Sequence, residues 1–284
     1  MERKGNLKTA EIVIKFVDTV EIDGVELILS HPTEIRSNWI GQDMLMKQLL
    51  AAWLTLDKED IPLTPRIIGP PGVGKTTLAY AAAKTMGQEV YFYQATVDTR
   101  PEDLIIFPVI GDQQQIRYVA SPLVTAMIRG GIVILDEGNR MPEKSWASLA
   151  PLMDHRRYVE SQIAGITVKA HPKFRMVTTM NTDASTFELP EYISSRLQPV
   201  IELDFPNEKE LLRIIKYNLP YAPEDVIGHV ISIMNEGRAA GKFYSIRAGI
   251  QVVQYALRLQ KVLDLPIHTC VAHAVEQVFG DPDY

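Results

Sequence analysis

The sequence predicts an α/β fold: a five-stranded parallel sheet with helices on both faces, followed by a small all-helical domain. Three observations predict it. Five short runs rich in apolar and β-branched residues, at 66–68, 89–93, 131–135, 174–180 and 200–203, punctuate the first two hundred residues, and strands buried on both faces read as runs of this kind. A glycine-rich loop, Gly69 to Thr77, joins the first run to a helix that starts near Lys75. After Phe205-Pro206 the β-rich runs stop, and 207–218, 222–236, 246–263 and 266–279 repeat apolar residues at helical spacing.

The remaining elements follow in order. Residues 9–30 alternate loosely around Asp23-Gly24, a dipeptide that two-residue hairpin turns prefer. From Gln42 to Leu56 the residues Leu45, Leu49, Ala52, Trp53 and Leu56 keep helical spacing until Ile61-Pro62-Leu63-Thr64-Pro65 breaks it. The helix after the glycine-rich loop reaches about Met86. Two segments, 105–121 and 157–170, carry alternating arms around Gly111–Gln115 and around Ala164-Gly165, the pattern of inserted hairpins. The expected organisation is an N-terminal hairpin extension at 1–30, a nucleotide-binding core with inserted hairpins at 31–206, and a helical lid at 207–284.

Composition narrows the function classes. With 284 residues, 46 % of them hydrophobic, the chain can bury a large core and is too apolar for disorder. A formal charge of −6 provides no general attraction for nucleic acid or anionic membrane, so direct nucleic-acid binding is not expected. The single Cys270 cannot form an intrachain disulfide and fits a small core hydrophobe in a reducing compartment. Residues 1–16 lack the apolar stretch of a signal peptide, and no apolar run approaches 18 residues. A cytoplasmic protein without membrane insertion is therefore expected.

The loop Gly69-Pro70-Pro71-Gly72-Val73-Gly74-Lys75-Thr76-Thr77 is a phosphate-binding P-loop in its proper setting, after a strand and before a helix. Its glycines let successive N–H groups turn inward around an anion, and the helix start adds the positive end of its dipole. Lys75 supplies a point charge for the β- and γ-phosphates of ATP, and the Thr76 hydroxyl is a candidate Mg²⁺ ligand. Asp136 and Glu137 end the apolar run Ile132–Leu135, where a strand's C-terminal end meets the P-loop at one edge of the sheet. Asp136 fits a carboxylate for Mg²⁺, and Glu137 fits a base that orients and polarises water.

With these motifs in order the chain resembles the AAA+ ATPases, and within them the MoxR family with its helix 2 insertion, from about Ile40 to Arg247. LDEGNRMPEKSWASLAPLMDHRRY, starting at Leu135, is similar to the family's Walker B stretch and following helix, and 99–127 is similar to the region of its helix 2 insertion. FRMVTTMNT places Asn181 at the sensor 1 position, LPEYISSRLQPVIELDFP places Arg196 at the arginine finger, and Tyr244-Ser245-Ile246-Arg247 resembles sensor 2. Two departures stand out: Gly138 where the family commonly has a bulky apolar residue, and Ile246 where it often has proline.

The resemblance implies a P-loop NTPase (AAA+) three-layer sandwich and a homo-oligomeric, hexameric ring. In it Arg196 would reach the γ-phosphate held by the neighbouring subunit, because it precedes the last strand and faces away from its own nucleotide. Asn181 would hold the attacking water or the γ-phosphate. Arg247 sits at a helix start, a poor place for a cation unless an anion compensates, which argues for a phosphate contact. The Trp39-Ile40-Gly41 segment would border the adenine. Asn139-Arg140 is open between a subunit interface and an exposed turn, and the inserted hairpins, with Phe107, Ile110, Ile116 and Tyr118, between client contact and packing on the core. The implied function is ATP-driven remodelling or maturation of a client complex, with a von Willebrand factor A domain protein as a possible partner. The alternative is a nucleotide-driven motor, using ATP or GTP, in a restriction or defence complex that acts on nucleic acid.

Overall fold

The computed structural model describes residues 18–35, 38–111, 114–182 and 188–280. The expected alternation before residue 18 and the middle of the Gly111–Gln115 turn lie outside the described residues.

The five expected strands form one all-parallel sheet. They are β3 (Arg66–Gly69), β4 (Val90–Gln94), β7 (Ile132–Asp136), β10 (Arg175–Asn181) and β11 (Val200–Glu202), in the order β11-β3-β10-β7-β4. Alternate side chains face opposite layers, as pleating requires. Ile132 and Ile134 enter the core shared with α1 (Asp43–Trp53) and α2 (Lys75–Thr85), while Val133 and Leu135 enter the core on the other face. That second face is covered by α4 (Pro122–Arg129) and α5 (Glu143–Leu149), making three layers.

Helix α4 is fixed at both ends by its sequence. Ser121 accepts a hydrogen bond from the Val124 N–H, Pro122 occupies the first turn, and Gly130 ends the helix in the left-handed region at φ 70°. Helix α1 stops at Trp53, short of the expected Leu56. Leu54 turns extended, the Asp60 carboxylate captures the Leu56 N–H at 2.8 Å, and the Leu56 side chain is 86 % exposed instead of lying on the helix's buried stripe. Trp53 itself is anchored, donating from Nε1 to the Met176 carbonyl at 3.1 Å.

Both inserted hairpins are present: β5 (Ile106–Ile110) with β6 (Ile116–Ala120), and β8 (Tyr158–Ser161) with β9 (Ile166–Lys169). The hairpin β1 (Thr19–Ile22) and β2 (Val25–Ile28) turns at Asp23-Gly24, both at positive φ. It is not separate from the first insertion. Leu27 and Ile28 pair in parallel with Tyr118 and Val119, giving a second sheet ordered β1-β2-β6-β5. Tyr118 is half-buried against the main core, whereas Ile110 and Ile116 face each other across the hairpin end at 82 % and 66 % exposure.

Two short helices, α3 (Pro101–Leu104) and α6 (Glu191–Ser194), complete the first two hundred residues. Then α7 (Glu208–Asn218), α8 (Glu224–Ala239), α9 (Ile246–Leu263) and α10 (Ile267–Phe279) enclose a core of their own. Cys270 is fully buried in it. Asn207 and Glu210 close a capping box at the start of α7. Among the described residues no helix is long and apolar enough to cross a membrane.

Close packing makes one lid glycine costly to replace. A Cβ on Gly237 would stand 2.2 Å from the Tyr244 ring, which stacks on Phe279 at 4.0 Å, whereas a Cβ on Gly228 in the same helix would meet nothing within 4 Å. Gly237→Ala is expected to lower stability by about 1–3 kcal/mol through overpacking. Gly228→Ala should raise it by about 0.5–1 kcal/mol through reduced chain entropy. Thermal unfolding of the two variants checks this, and equal melting shifts would contradict it.

Candidate nucleotide site

Strand register builds the site. Asn181 pairs with Gly69, Leu135 with Thr178, and Asp136 with Gln94, so the C-terminal ends of β3, β7 and β10 finish together at one edge of the sheet. There a cavity of about 500 Å³ opens between the sheet edge and the lid helices. Its wall includes the loop from Pro71 to Thr77, together with Asp136, Glu137, Asn181 and Arg247.

Within the loop Gly72 and Gly74 both have positive φ, 74° and 106°. Gly72 must also stay bare, because a Cβ there would lie 2.7 Å from the Ser245 Cβ in the lid. At Gly69 a Cβ would strike the Leu203 carbonyl at 2.3 Å. Gly69 and Pro70 stand behind the cavity and serve it through Lys75: each carbonyl accepts from Nζ at 2.8 Å. These bonds fold the lysine back along its own loop, and it is only 7 % exposed.

The hydroxyl of Thr76 donates to Asp136 Oδ1 at 2.7 Å, and Thr179 Oγ1 contacts the same oxygen. Thr179 also accepts from the Glu137 backbone N–H at 3.2 Å. Sequence reasoning overlooked Thr179, although strand periodicity puts it on the same face as Asn181. Thr76 and Asp136 together offer hard oxygen donors of the kind Mg²⁺ takes alongside water and phosphate oxygens, so the donor set fits that ion. Among the described residues no group of three or more His, Cys, Asp or Glu gathers elsewhere to hold a metal.

Glu137 has a left-handed backbone, φ 54°, and Asn181 Nδ2 lies 3.5 Å from its Oε1. The turn Gly138–Arg140 follows directly. Gly138 is explained by its neighbours: a Cβ would stand 2.3 Å from Thr178 Oγ1 and 2.9 Å from the Trp146 ring, and Trp146 Nε1 donates to the Gly138 carbonyl at 3.1 Å. The indole fills the volume expected of a bulky residue at 138. Asn139 and Arg140 are not a simple exposed turn either. Asn139 is buried and donates from Nδ2 to the Asn181 carbonyl at 2.8 Å, and Arg140 Nε forms an ion pair with Glu137 Oε2 at 2.8 Å.

On the lid side Arg247 is exposed and lines the cavity from the first turn of α9, whose cap is Ser245. Ile246, in place of proline, is buried in the lid core. Trp39, Ile40, Tyr217, Asn218 and Gln251 line the same cavity, with Trp39 Cζ3 within 3.5 Å of where a Gly74 Cβ would sit.

Arg196 stands apart from this cavity. Its Nη1 donates to the Tyr192 carbonyl at 2.6 Å, and Nε and Nη2 reach Asp154 Oδ2 at 3.4 Å. Asp154 is shared with Arg156, which grips it through two side-chain bonds of 2.8 and 3.0 Å. Those bonds, opposed by partial burial and aided by the Arg196 charge, hold the Asp154 carboxyl well below the usual carboxylate range.

Comparison with known proteins agrees with this geometry. Residues 66–197 match the family model described as an AAA domain of the dynein-related subfamily. An uncharacterized protein of Staphylococcus epidermidis is 28 % identical over 200 residues, covering 66 % of this chain and 76 % of that protein. Another, from Staphylococcus haemolyticus, is 24 % identical over 247 residues, covering 85 % and 92 %. Among solved structures, the Thermotoga maritima RuvB Holliday junction branch migration motor superposes with a TM-score of 0.57 at 22 % identity, over 84 % of this chain and 70 % of that one. A putative ATPase from Cytophaga hutchinsonii gives 0.51 at 19 % identity, over 84 % and 81 %. Over residues 66–197 the chain is thus similar to AAA domains of the dynein-related subfamily, and its fold is the P-loop AAA+ fold.

Proposed function

We propose that this chain hydrolyses ATP with Mg²⁺ as a subunit of a homo-oligomeric ring, a hexamer by its resemblance to the MoxR family, and uses the cycle to remodel or mature a client complex. One observation carries the reading: Lys75, Thr76, Asp136, Glu137, Asn181 and Arg247 meet around one cavity, while Arg196 does not. Positioning and charge neutralisation are nearly all that phosphoryl transfer asks of a protein.

In this reading the bare backbone from Gly69 to Thr77 binds the phosphates, and Lys75 exchanges its carbonyl partners for β- and γ-phosphate oxygens. Thr76 and Asp136 would hold Mg²⁺, which would supply neutralising charge for the phosphates. Glu137 orients and polarises the attacking water, with the Asn181 amide beside it. Arg247 touches the phosphates from the lid, so loss of the γ-phosphate releases a contact between lid and core. Arg196 completes the site of the next subunit. We assign 1–30, 31–206 and 207–284 to the N-terminal extension, the core and the lid, and place the protein in the cytoplasm. A client with a von Willebrand factor A domain is the partner class that the MoxR resemblance favours.

A second reading makes the chain a motor subunit of a complex acting on nucleic acid. The likeness to a branch migration motor is one of fold, and the charge of −6 opposes a direct contact. Stimulation of hydrolysis by duplex would favour this reading over client remodelling.

Glu137→Gln is expected to keep ATP bound and to slow turnover by about 10²–10⁴-fold, as loss of a general base does. Single-turnover hydrolysis beside equilibrium ATP binding checks it, and undiminished turnover would remove Glu137 from the chemistry. Lys75→Ala should abolish nucleotide binding in the same assay. Arg196→Ala subunits mixed with Lys75→Ala subunits should regain hydrolysis that neither shows alone, because each supplies what the other lacks. Verified mixed rings without recovered activity would rule out a finger acting between subunits.

A further inference from the structure

The residues after Glu137 form a short turn that reaches both groups facing the attacking water. Arg140 meets Glu137 Oε2 at 2.8 Å, and Asn139 donates to the Asn181 carbonyl at 2.8 Å. Neither Asn139 nor Arg140 lines the cavity, whereas Glu137 and Asn181 both do. We propose that the Gly138–Arg140 turn is a positioning device for the reaction: Arg140 fixes the Glu137 carboxylate and Asn139 fixes the strand end that carries the Asn181 amide. The inference rests on the ATPase reading above.

A glutamate side chain has enough rotamer freedom that an unrestrained carboxylate would meet the water only part of the time. The ion pair engages Oε2 from outside the cavity and leaves Oε1 beside the Asn181 amide, 3.5 Å away. Its N–H vector is not aligned for a hydrogen bond, so the contact works chiefly as a charge pair. The left-handed backbone at Glu137 supplies the bend that brings residue 140 back over residue 137, and Arg140 N donates to the Glu137 carbonyl at 2.9 Å.

The turn itself is rigid. Gly138 lies against Thr178 and Trp146 with no room for a side chain, and Trp146 holds its carbonyl. Asn139 is 6 % exposed, and its amide orientation is set by donation to Asn181. Among the described residues Asn139 Oδ1 is buried without a hydrogen-bond partner. Leaving an acceptor unmatched is costly, and a residue kept for packing alone would be better served by an apolar side chain. What the amide supplies there, and an apolar side chain could not, is the Nδ2 bond to the Asn181 carbonyl.

The test compares the wild type with Arg140→Ala, Arg140→Lys and Asn139→Ala, as assembled rings, in ATP binding, kcat and KM. Arg140→Ala is expected to lose about 10–100-fold in kcat with KM and ATP affinity changed less than about threefold, because positioning is lost and binding is not. Arg140→Lys should recover part of the loss, and so should guanidinium ion added to Arg140→Ala, which a purely structural role would not permit. Asn139→Ala should likewise lower kcat at unchanged ATP affinity. An Arg140→Ala rate equal to wild type overturns the inference and leaves the ATPase reading intact. A faster Arg140→Ala protein overturns it too, showing that the ion pair restrains Glu137. A rate that falls with melting temperature and is not recovered by guanidinium reduces Arg140 to a structural role and also overturns it. A wild type that binds ATP without turnover in any assembly defeats the ATPase reading itself.

Discussion

One carboxylate oxygen organises the site. Asp136 Oδ1 accepts from Thr76 at the start of α2 and is met by Thr179 in β10, so three elements that are distant in sequence converge on one atom at the end of β7. A partly buried carboxylate requires such donors, and the donors in turn fix where the P-loop helix stands relative to the strand ends. The arrangement also prepares the hydroxyl of Thr76. By giving its proton to Asp136 it turns oxygen lone pairs to other partners, which is the orientation a hydroxyl needs to ligate a hard cation. Parallel register makes this possible, because it ends β3, β7 and β10 at one level.

Much of the core was legible because its physics is local. Strands buried on both faces must be apolar along their whole length, and the phosphate loop needs glycine where φ is positive, so both leave marks in short windows. The pairing of β2 with β6 leaves none, since nothing near Leu27 specifies Tyr118 as its partner. Helix α4 was readable in principle, from Ser121-Pro122 at its start and Gly130 at its end, but its brevity hides the apolar period. At Leu56 the period continued by coincidence beyond the true helix end, and a local capture by Asp60 decided otherwise. Within the site, Pro71 to Thr77, Asp136, Glu137, Asn181 and Arg247 were named from the sequence and line the cavity, whereas Thr179, Asn139 and Arg140 were not recognised for what they hold. Asn139 meets a backbone carbonyl, Thr179 and Arg140 meet carboxylates, and such contacts are defined only by three-dimensional neighbours.

Among the contacts that join the sheet-bearing part to the C-terminal helices, two border the cavity. Gly72 lies against Ser245, the cap of α9, closely enough to exclude a side chain, so the glycine-rich loop and the helix bearing Arg247 are in contact. Beside Trp39, Gln42 N donates at 3.0 Å to Glu210 Oε1, and Gly41, at φ 81°, has a backbone in which a side chain is strained. Glu210 Oε2 meanwhile closes the capping box of α7 by accepting from Asn207 N at 3.2 Å. A single carboxylate therefore finishes a lid helix and grips the segment beside Trp39. Displacement of either wall of the cavity is felt directly by the lid, with no long relay required.

Arg196, the arginine outside the cavity, is the residue to which the proposed function gives a role in the next subunit. Arg196 is anchored at its base by Tyr192 and only loosely, at 3.4 Å, by Asp154, whose stronger bonds go to Arg156. A guanidinium carries five N–H groups, and these contacts set its direction without using all of them. It is also about 30 % exposed, unlike the closely held Lys75. A cation oriented by one firm bond, sharing its anion with a better partner and retaining spare donors, is arranged to meet a further anion at low cost. The wall of its own cavity does not include it. In the proposed ring, borrowing the last charge from a neighbour would make the chemical step conditional on assembly, and would give hydrolysis a direct mechanical consequence at the boundary between subunits.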